Sequence, residues 1–141
     1  MSETGAQHYG AVALRHQYEA MTVGDMEQVV RHFAADLHYE EPSLGVVAHS
    51  PGEIAKGYQP WLTCARFTFP VLDAFGAGTR AALRWEMHGT ILREMPGLVT
   101  PDHIGRTFVI HGATTAQFND EQLIDRCGCY WDLGSFSAQF R

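Results

Sequence analysis

Leu37-His38-Tyr39-Glu40-Glu41-Pro42 reads as a short strand between two helical segments, ending in two adjacent carboxylates set against a proline. Side chains alternate faces along a strand, so Glu40 and Glu41 must point opposite ways. Tyr39 and Leu37 share the parity of Glu41, and these two apolar-bodied neighbours put that face inside. Glu40 and His38 then face outward. A carboxylate that enters an apolar interior has a raised pKa and can act as a base near neutral pH. The competing reading is a surface strand with both carboxylates solvated or paired.

Helices flank this strand. Ala11, Leu14, Tyr18 and Met21 recur at helical spacing over Ala11–Met21, and Gly24 ends that segment. Asp25 caps a second helix, with Gln28 at the reciprocal capping-box position and Met26, Val29, Val30 and Phe33 as its buried stripe. Leu44 to Ala48 reads as a loop or short edge segment. Ser50-Pro51-Gly52-Glu53 then opens a third helix: Ser caps, Pro takes the first position, and Glu follows three after the cap. This helix carries Ile54, Tyr58, Trp61 and Leu62, and Pro60 is expected to end or kink it.

After Ala65 the period changes to two. Phe67, Phe69 and Val71 alternate with Arg66, Thr68 and Pro70, and Gly76-Ala77-Gly78 makes a turn. Residues 80–92 form a long strand with Leu83, Trp85 and Met87 on one face and Arg84, Glu86 and His88 on the other. Met95 to Pro101 is a loop, Thr107–Phe118 another long strand, and Leu123–Leu133 the last. Three helices with one strand among them, followed by a four-strand antiparallel meander, indicate an α+β fold. A long curved sheet wrapped over helices makes a cone with an apolar mouth, a usual place for a small-molecule site.

Composition narrows the function. The 141 residues suit one domain, 1–141, and 45% hydrophobic with 18% charged content describes a globular chain. The formal charge is −6 and no basic run occurs, which argues against nucleic acid as partner. The N-terminal residues lack the apolar core of a signal peptide, and no apolar run reaches membrane-spanning length, so a cytoplasmic protein without membrane partners is expected. Cys64, Cys127 and Cys129 fit reduced thiols. The eight histidines are scattered and make no metal-ligand spacing with Cys127 and Cys129, so neither metal nor cofactor is implied.

Several segments together resemble the nuclear-transport-factor-2-like (NTF2-like) superfamily, over about Val12 to Phe140. The nearest branches are the ketosteroid isomerase-like and SnoaL-like polyketide cyclase proteins. Arg15-His16-Gln17-Tyr18 through Gly24-Asp25-Met26-Glu27 looks like the first helix and the turn into the second. Phe33-Ala34-Ala35-Asp36 with Glu40-Glu41-Pro42 resembles the isomerase segment in which an Asp-Pro carries the base. Ile54-Ala55-Lys56-Gly57-Tyr58 resembles the third helix, where a tyrosine supports the oxyanion hole. Phe118-Asn119-Asp120-Glu121 through Tyr130-Trp131 resembles the final hairpin. Met95-Pro96-Gly97, Thr100-Pro101 and Gly105-Arg106-Thr107-Phe108 look more like the cyclase branch.

The resemblance implies an NTF2-like cone: a curved mixed or antiparallel sheet over three N-terminal helices, enclosing an apolar pocket. Glu41 would be the general base, Tyr18 the oxyanion donor and Tyr58 a supporting hydroxyl. Thr114 stands where isomerases keep a protonated aspartic acid, and Cys129 where cyclases keep an acid/base aspartate. Asp132 lies three residues beyond Cys129, on the opposite face, and cannot replace it. Tyr39, Tyr58, Phe69, Trp85, Met87, Cys129 and Trp131 are the expected walls of the substrate pocket. His88 and His111 should lie on the outer sheet face, through which a homodimer is implied. The implied chemistry is proton removal next to a carbonyl of an apolar polycyclic molecule, leading to isomerisation, cyclisation or dehydration. A non-catalytic binder of apolar metabolites and a dimerising interaction module are the alternatives.

Overall fold

In the computed structural model, Thr4, Gly5 and residues 7–141 are described. The chain opens with β1 (Thr4–Gly5), α1 (Tyr9–Thr22) and α2 (Met26–Val30). It continues through β2 (Phe33–Glu41), β3 (Val46–Ala48) and α3 (Pro51–Cys64). Strands β4 (Ala65–Thr68), β5 (Val71–Ala77), β6 (Arg80–Ile91), β7 (Thr107–Phe118) and β8 (Ile124–Trp131) follow, and α4 (Leu133–Ala138) closes the chain. Short 3-10 turns at Pro42–Leu44 and Pro101–His103 interrupt it.

One eight-stranded sheet runs in the order β1-β5-β6-β7-β8-β2-β3, with β4 also on β6. Every pairing is antiparallel except β2 with β8, which is parallel. The parallel pair is possible because the long stretch between β2 and β8 carries α3 and the meander, ample length for a crossover. β4 pairs with the far end of β6 and β5 with its near end. They are two pieces of one strand, parted at Phe69-Pro70, where proline has no amide to offer a ladder.

The sheet has a dry face and a wet one. Leu83, Trp85, Met87 and Ile91 of β6 are buried, while Arg84 and His88 are exposed. Against the dry face lies α1, with Ala11, Leu14, Tyr18 and Met21 all at 4% exposure or less. The helix period and the strand period thus bury the sets that the sequence assigned to them. Val29 of α2 and Ile54, Tyr58 and Trp61 of α3 close the same core. The result is an α+β fold with a curved, mixed sheet, as expected.

Caps set the helix starts. Asp25 accepts a hydrogen bond from the Gln28 amide at 3.2 Å, and Ser50 accepts from Glu53 at 3.2 Å. The Gln28 side chain does not return the bond; it accepts from Arg31 at 3.4 Å instead.

Several boundaries differ from the sequence reading. β2 begins at Phe33, four residues before Leu37, because Phe33 and Ala34 both find burial in the sheet. Phe33 therefore belongs to β2 and not to a stripe of α2. Pro42 opens a 3-10 turn instead of ending the strand, as its fixed φ favours. Pro60 does not end α3, which continues to Cys64. Both Pro60 and Lys56, whose carbonyl loses its partner, are exposed, so water can satisfy that carbonyl. Finally, β8 stops at Trp131, and Asp132 caps an unforeseen helix by accepting from the Gly134 amide at 3.0 Å.

That helix, α4, is fastened at several points. Phe136 is 1% exposed and packs edge-on to Trp61, Phe108 and Trp131. Arg106 donates to the Gln139 carbonyl at 2.9 Å and the Phe140 carbonyl at 3.3 Å, and its guanidinium stacks over the Phe140 ring. The Gln139 side chain donates to the Val109 carbonyl at 2.7 Å and accepts from the Val109 amide at 2.9 Å.

Candidate functional site

β2 delivers Glu41 to the interior at its last residue. Leu37, Tyr39 and Glu41 are buried (7%, 2% and 8% exposed), whereas Glu40 is half-buried on the outer face and accepts from Tyr130 at 3.0 Å. Alternation therefore separates the two carboxylates as the sequence required.

Glu41 lies on the wall of an apolar cavity under the sheet, lined also by Tyr18, Met21, Met26, Tyr58, Trp61, Leu62, Phe67, Phe69, Trp85, Met87, Ile110, Cys129 and Trp131. Its free space is about 30 Å³, room for roughly one water. No Lys, Arg or His lines it. Of the expected wall residues, Tyr58, Phe69, Trp85, Met87, Cys129 and Trp131 are there, together with Tyr18 and Glu41. Tyr39 and Thr114 stand behind the wall. Trp61, Phe67 and the methionines of α1 and α2 complete it.

Two hydrogen-bonded limbs meet at this cavity. In the first, Glu41 accepts from the Tyr39 hydroxyl through Oε1 at 2.7 Å and from the Trp131 indole through Oε2 at 2.8 Å. Tyr39 spends its single hydrogen on Glu41, so the Tyr58 hydroxyl, 3.3 Å away, donates to the Tyr39 oxygen. Tyr58 thus supports the carboxylate and not Tyr18, which departs from the role that the resemblance implied. Burial raises the Glu41 pKa, and the bonds from Trp131 and Tyr39 pull it back part of the way.

The second limb belongs to Tyr18. Its hydroxyl is hydrogen-bonded to the Thr114 hydroxyl, which accepts from the Trp85 indole at 3.0 Å. An indole N–H can only donate, so Thr114 is free to pass its own hydrogen to the Tyr18 oxygen. Tyr18 can then aim its hydrogen into the cavity. Thr114, 0% exposed, acts on Tyr18 instead of reaching the cavity itself. Trp85 is seated over Gly112, its cross-strand partner, where a Cβ would overlap the indole ring.

Tyr18, Tyr39 and Tyr58 are all pushed well above the ordinary tyrosine range, chiefly by burial, so each enters the network as a neutral hydroxyl. Cys129 lies 3.9 Å from the Tyr18 oxygen, and its thiol is raised well above its usual range by burial first and the nearby Glu41 second. Cys127 is pushed up to about 12 by the same two causes. Neither is a thiolate near neutral pH, which removes them as nucleophiles. Asp132 is occupied in capping α4. His38, His88 and His111 are off the cavity, and Glu86 of the outer face pairs with His88 at 2.7 Å and His111 at 3.3 Å. Among the described residues no cluster of three or more His, Cys, Asp or Glu could hold a metal ion.

The sequence placed Glu41 and Tyr18 on inward faces but missed the indole donors. The available signal was that a buried tryptophan seeks an acceptor for its N–H.

A curved sheet over helices, enclosing a buried carboxylate and a phenol on the wall of one cavity, defines the class of small α+β cones built around an apolar cavity. The chain belongs to the SnoaL-like domain family, whose model matches residues 14–126. Among proteins of curated function, none is similar enough in sequence to match. Solved structures share the fold. A proposed polyketide cyclase from Xanthomonas campestris pv. campestris superposes with a TM-score of 0.82 at 23% identity, over 94% of this chain and 96% of that one. IdmH, a proposed polyketide cyclase from Streptomyces antibioticus, gives 0.80 at 22% identity, over 94% and 99%. A protein with a ketosteroid isomerase-like fold from Catenulispora acidiphila gives 0.72 at 20% identity, over 90% of each.

Proposed function

We propose that this protein is a cofactor-independent acid–base catalyst of the cyclase or isomerase type, acting on an apolar, polycyclic carbonyl compound of steroid or polyketide kind. Glu41 removes a proton next to the carbonyl, and Tyr18, held by Thr114, donates to the oxygen on which the enolate charge develops. The observation that carries this reading is that Glu41 and Tyr18 face one apolar cavity with no cation on its wall. A desolvated carboxylate there is a stronger base than in water. The SnoaL-like family and its cyclase-named structural neighbours support the same reading.

Replacing Glu41 with Gln tests it, because shape is kept and the base removed. General-base removal is expected to lower turnover by a factor of about 10² to 10⁴. A loss within about tenfold, some 1.4 kcal/mol of barrier, would show that another group is the base.

A second reading is a non-catalytic binder of apolar metabolites, favoured by the neutral Thr114 hydroxyl and the protonated Cys129 thiol at the two positions where the resemblance implies acids. Ligand entry would require the half-buried Met26, Leu62 and Phe67 of the wall to give way, and methionine adapts readily. Tight binding of a steroid-like ketone with no uptake of deuterium from heavy water would favour the binder.

A further inference from the structure

Tyr58 and Glu41 both face the cavity, while Tyr39, which joins them, lies behind its wall. Two points of one cavity are thus connected by a hydrogen-bonded path that does not cross it. We infer that Tyr58-Tyr39-Glu41 is a proton-return wire, with Tyr58 the catalytic acid that hands back, at a second atom of the substrate, the proton that Glu41 removes. This rests on the proposed role of Glu41 as base.

The path's direction follows from the charge on Glu41. While Glu41 is a carboxylate, Tyr39 donates to it, Tyr58 donates to Tyr39, and Tyr58 offers only a lone pair to the cavity. Once Glu41 has taken the substrate's proton it is itself a donor. The Tyr39 hydrogen is then free to turn to the Tyr58 oxygen, and the Tyr58 hydrogen to turn into the cavity. Rotating two hydroxyl hydrogens moves no heavy atom.

The transfer balances without any other reactant. The C–H bond next to the carbonyl breaks, its proton going to Glu41 and its electron pair to the enolate. When a developing alkoxide, or a hydroxyl leaving as water, lies against Tyr58, the Tyr58 proton passes to that oxygen. The Tyr39 proton moves to Tyr58 and the Glu41 proton to Tyr39. Glu41 is a carboxylate again. Burial disfavours a free tyrosinate at either hydroxyl, so the three hops occur together. A single carboxylate can serve a proton shift between neighbouring atoms, whereas ring closure or dehydration needs an acid placed elsewhere. Tyr58 supplies that second position.

Two probes separate the base from the wire. Opening of 5-nitrobenzisoxazole needs a base alone, because its phenolate leaves without help. Dehydration of 4-hydroxy-4-phenylbutan-2-one needs the base and an acid at the departing hydroxyl. Tyr39→Phe and Tyr58→Phe are expected to lower the ratio of dehydration to benzisoxazole opening by about tenfold or more, a comparison that cancels any change in Glu41 as a base. The wild-type dehydration should also show a solvent isotope effect that bows with deuterium content and becomes linear in Tyr39→Phe. Equal losses on both probes would mean that Tyr39 only positions Glu41, and no loss on dehydration would remove the wire outright. A wild type active on benzisoxazole but inert toward the hydroxyketone would also overturn the wire. If Glu41→Gln leaves benzisoxazole opening unchanged, the base reading fails first, and the wire with it.

Discussion

Glu41 carries a cost to the fold that its isostere would not. Its pKa is raised by burial, so the folded chain holds that proton more tightly than the unfolded chain does. Stability is therefore greatest from this group below its unfolded pKa, near 4.3, and declines as pH rises from there through the folded value. Glu41→Gln is expected to melt higher than wild type at pH 7 to 8, with the gap closing as pH falls toward 4, as calorimetry across that range would record. A carboxylate retained against such a gradient is the pattern of a group kept for chemistry. Thr114→Val makes the complementary case. It strands the buried Trp85 N–H, at about 1–3 kcal/mol. It also removes the support of Tyr18, so turnover should fall even where the variant remains folded, measured at a temperature well below its midpoint.

Among elements, the α1–β2 junction holds a pair of histidines in hydrogen-bond contact. His16 Nδ1 and His32 Nε2 are 3.0 Å apart, and the His32 pKa is lowered by burial first, then by His16 and Arg31. The folded form prefers neutral His32, so its stabilising contribution is present above the unfolded value near 6.5 and lost as pH falls toward the folded one. The His32 ring resonance should titrate below 6.5, and His16→Gln should raise its midpoint. Strand β7 supplies a second case. Gly112→Ala would push against the Trp85 ring, at about 1–3 kcal/mol of overpacking, and should disturb Tyr18 through Thr114. Legibility was greatest for elements with a strong period: β6 buries the face that alternation assigned, and α1 its stripe. It failed where tertiary contact decided. Leu133–Ala138 has few strong helix formers, and the buried Phe136 with the clamp from Arg106 holds it. Pro60 is tolerated because its turn faces water. The parity of Glu41 was legible because a strand admits only two faces. The partners of its carboxyl oxygens were not: Trp131 reaches one from the end of β8, and Tyr39 of the same strand holds the other with Tyr58 of α3 behind it.

At the scale of the molecule, one sheet path joins β1 to β3 through every long strand. The single-domain expectation then implies one cooperative denaturant transition, with near-UV and far-UV signals coinciding. The resemblance also implies a homodimer through the outer face that carries Glu86, His88 and His111, and light scattering at a few concentrations would show a two-chain mass. β7 extends past the end of β8: pairing between them stops at Gly112 with Trp131, which leaves the main chain near Val109 without a strand neighbour on that side. The Gln139 amide fills that place by both giving and taking a hydrogen bond, a side chain imitating one residue of backbone. An uncovered segment of this kind is a template for strand addition by another copy. The last turn of the protein thus serves as a seam guard. A chain shortened before Ser135, or Gln139→Ala to a lesser degree, should keep its native far-UV spectrum at first yet gather into β-rich aggregates on mild heating, at temperatures where the intact chain stays clear.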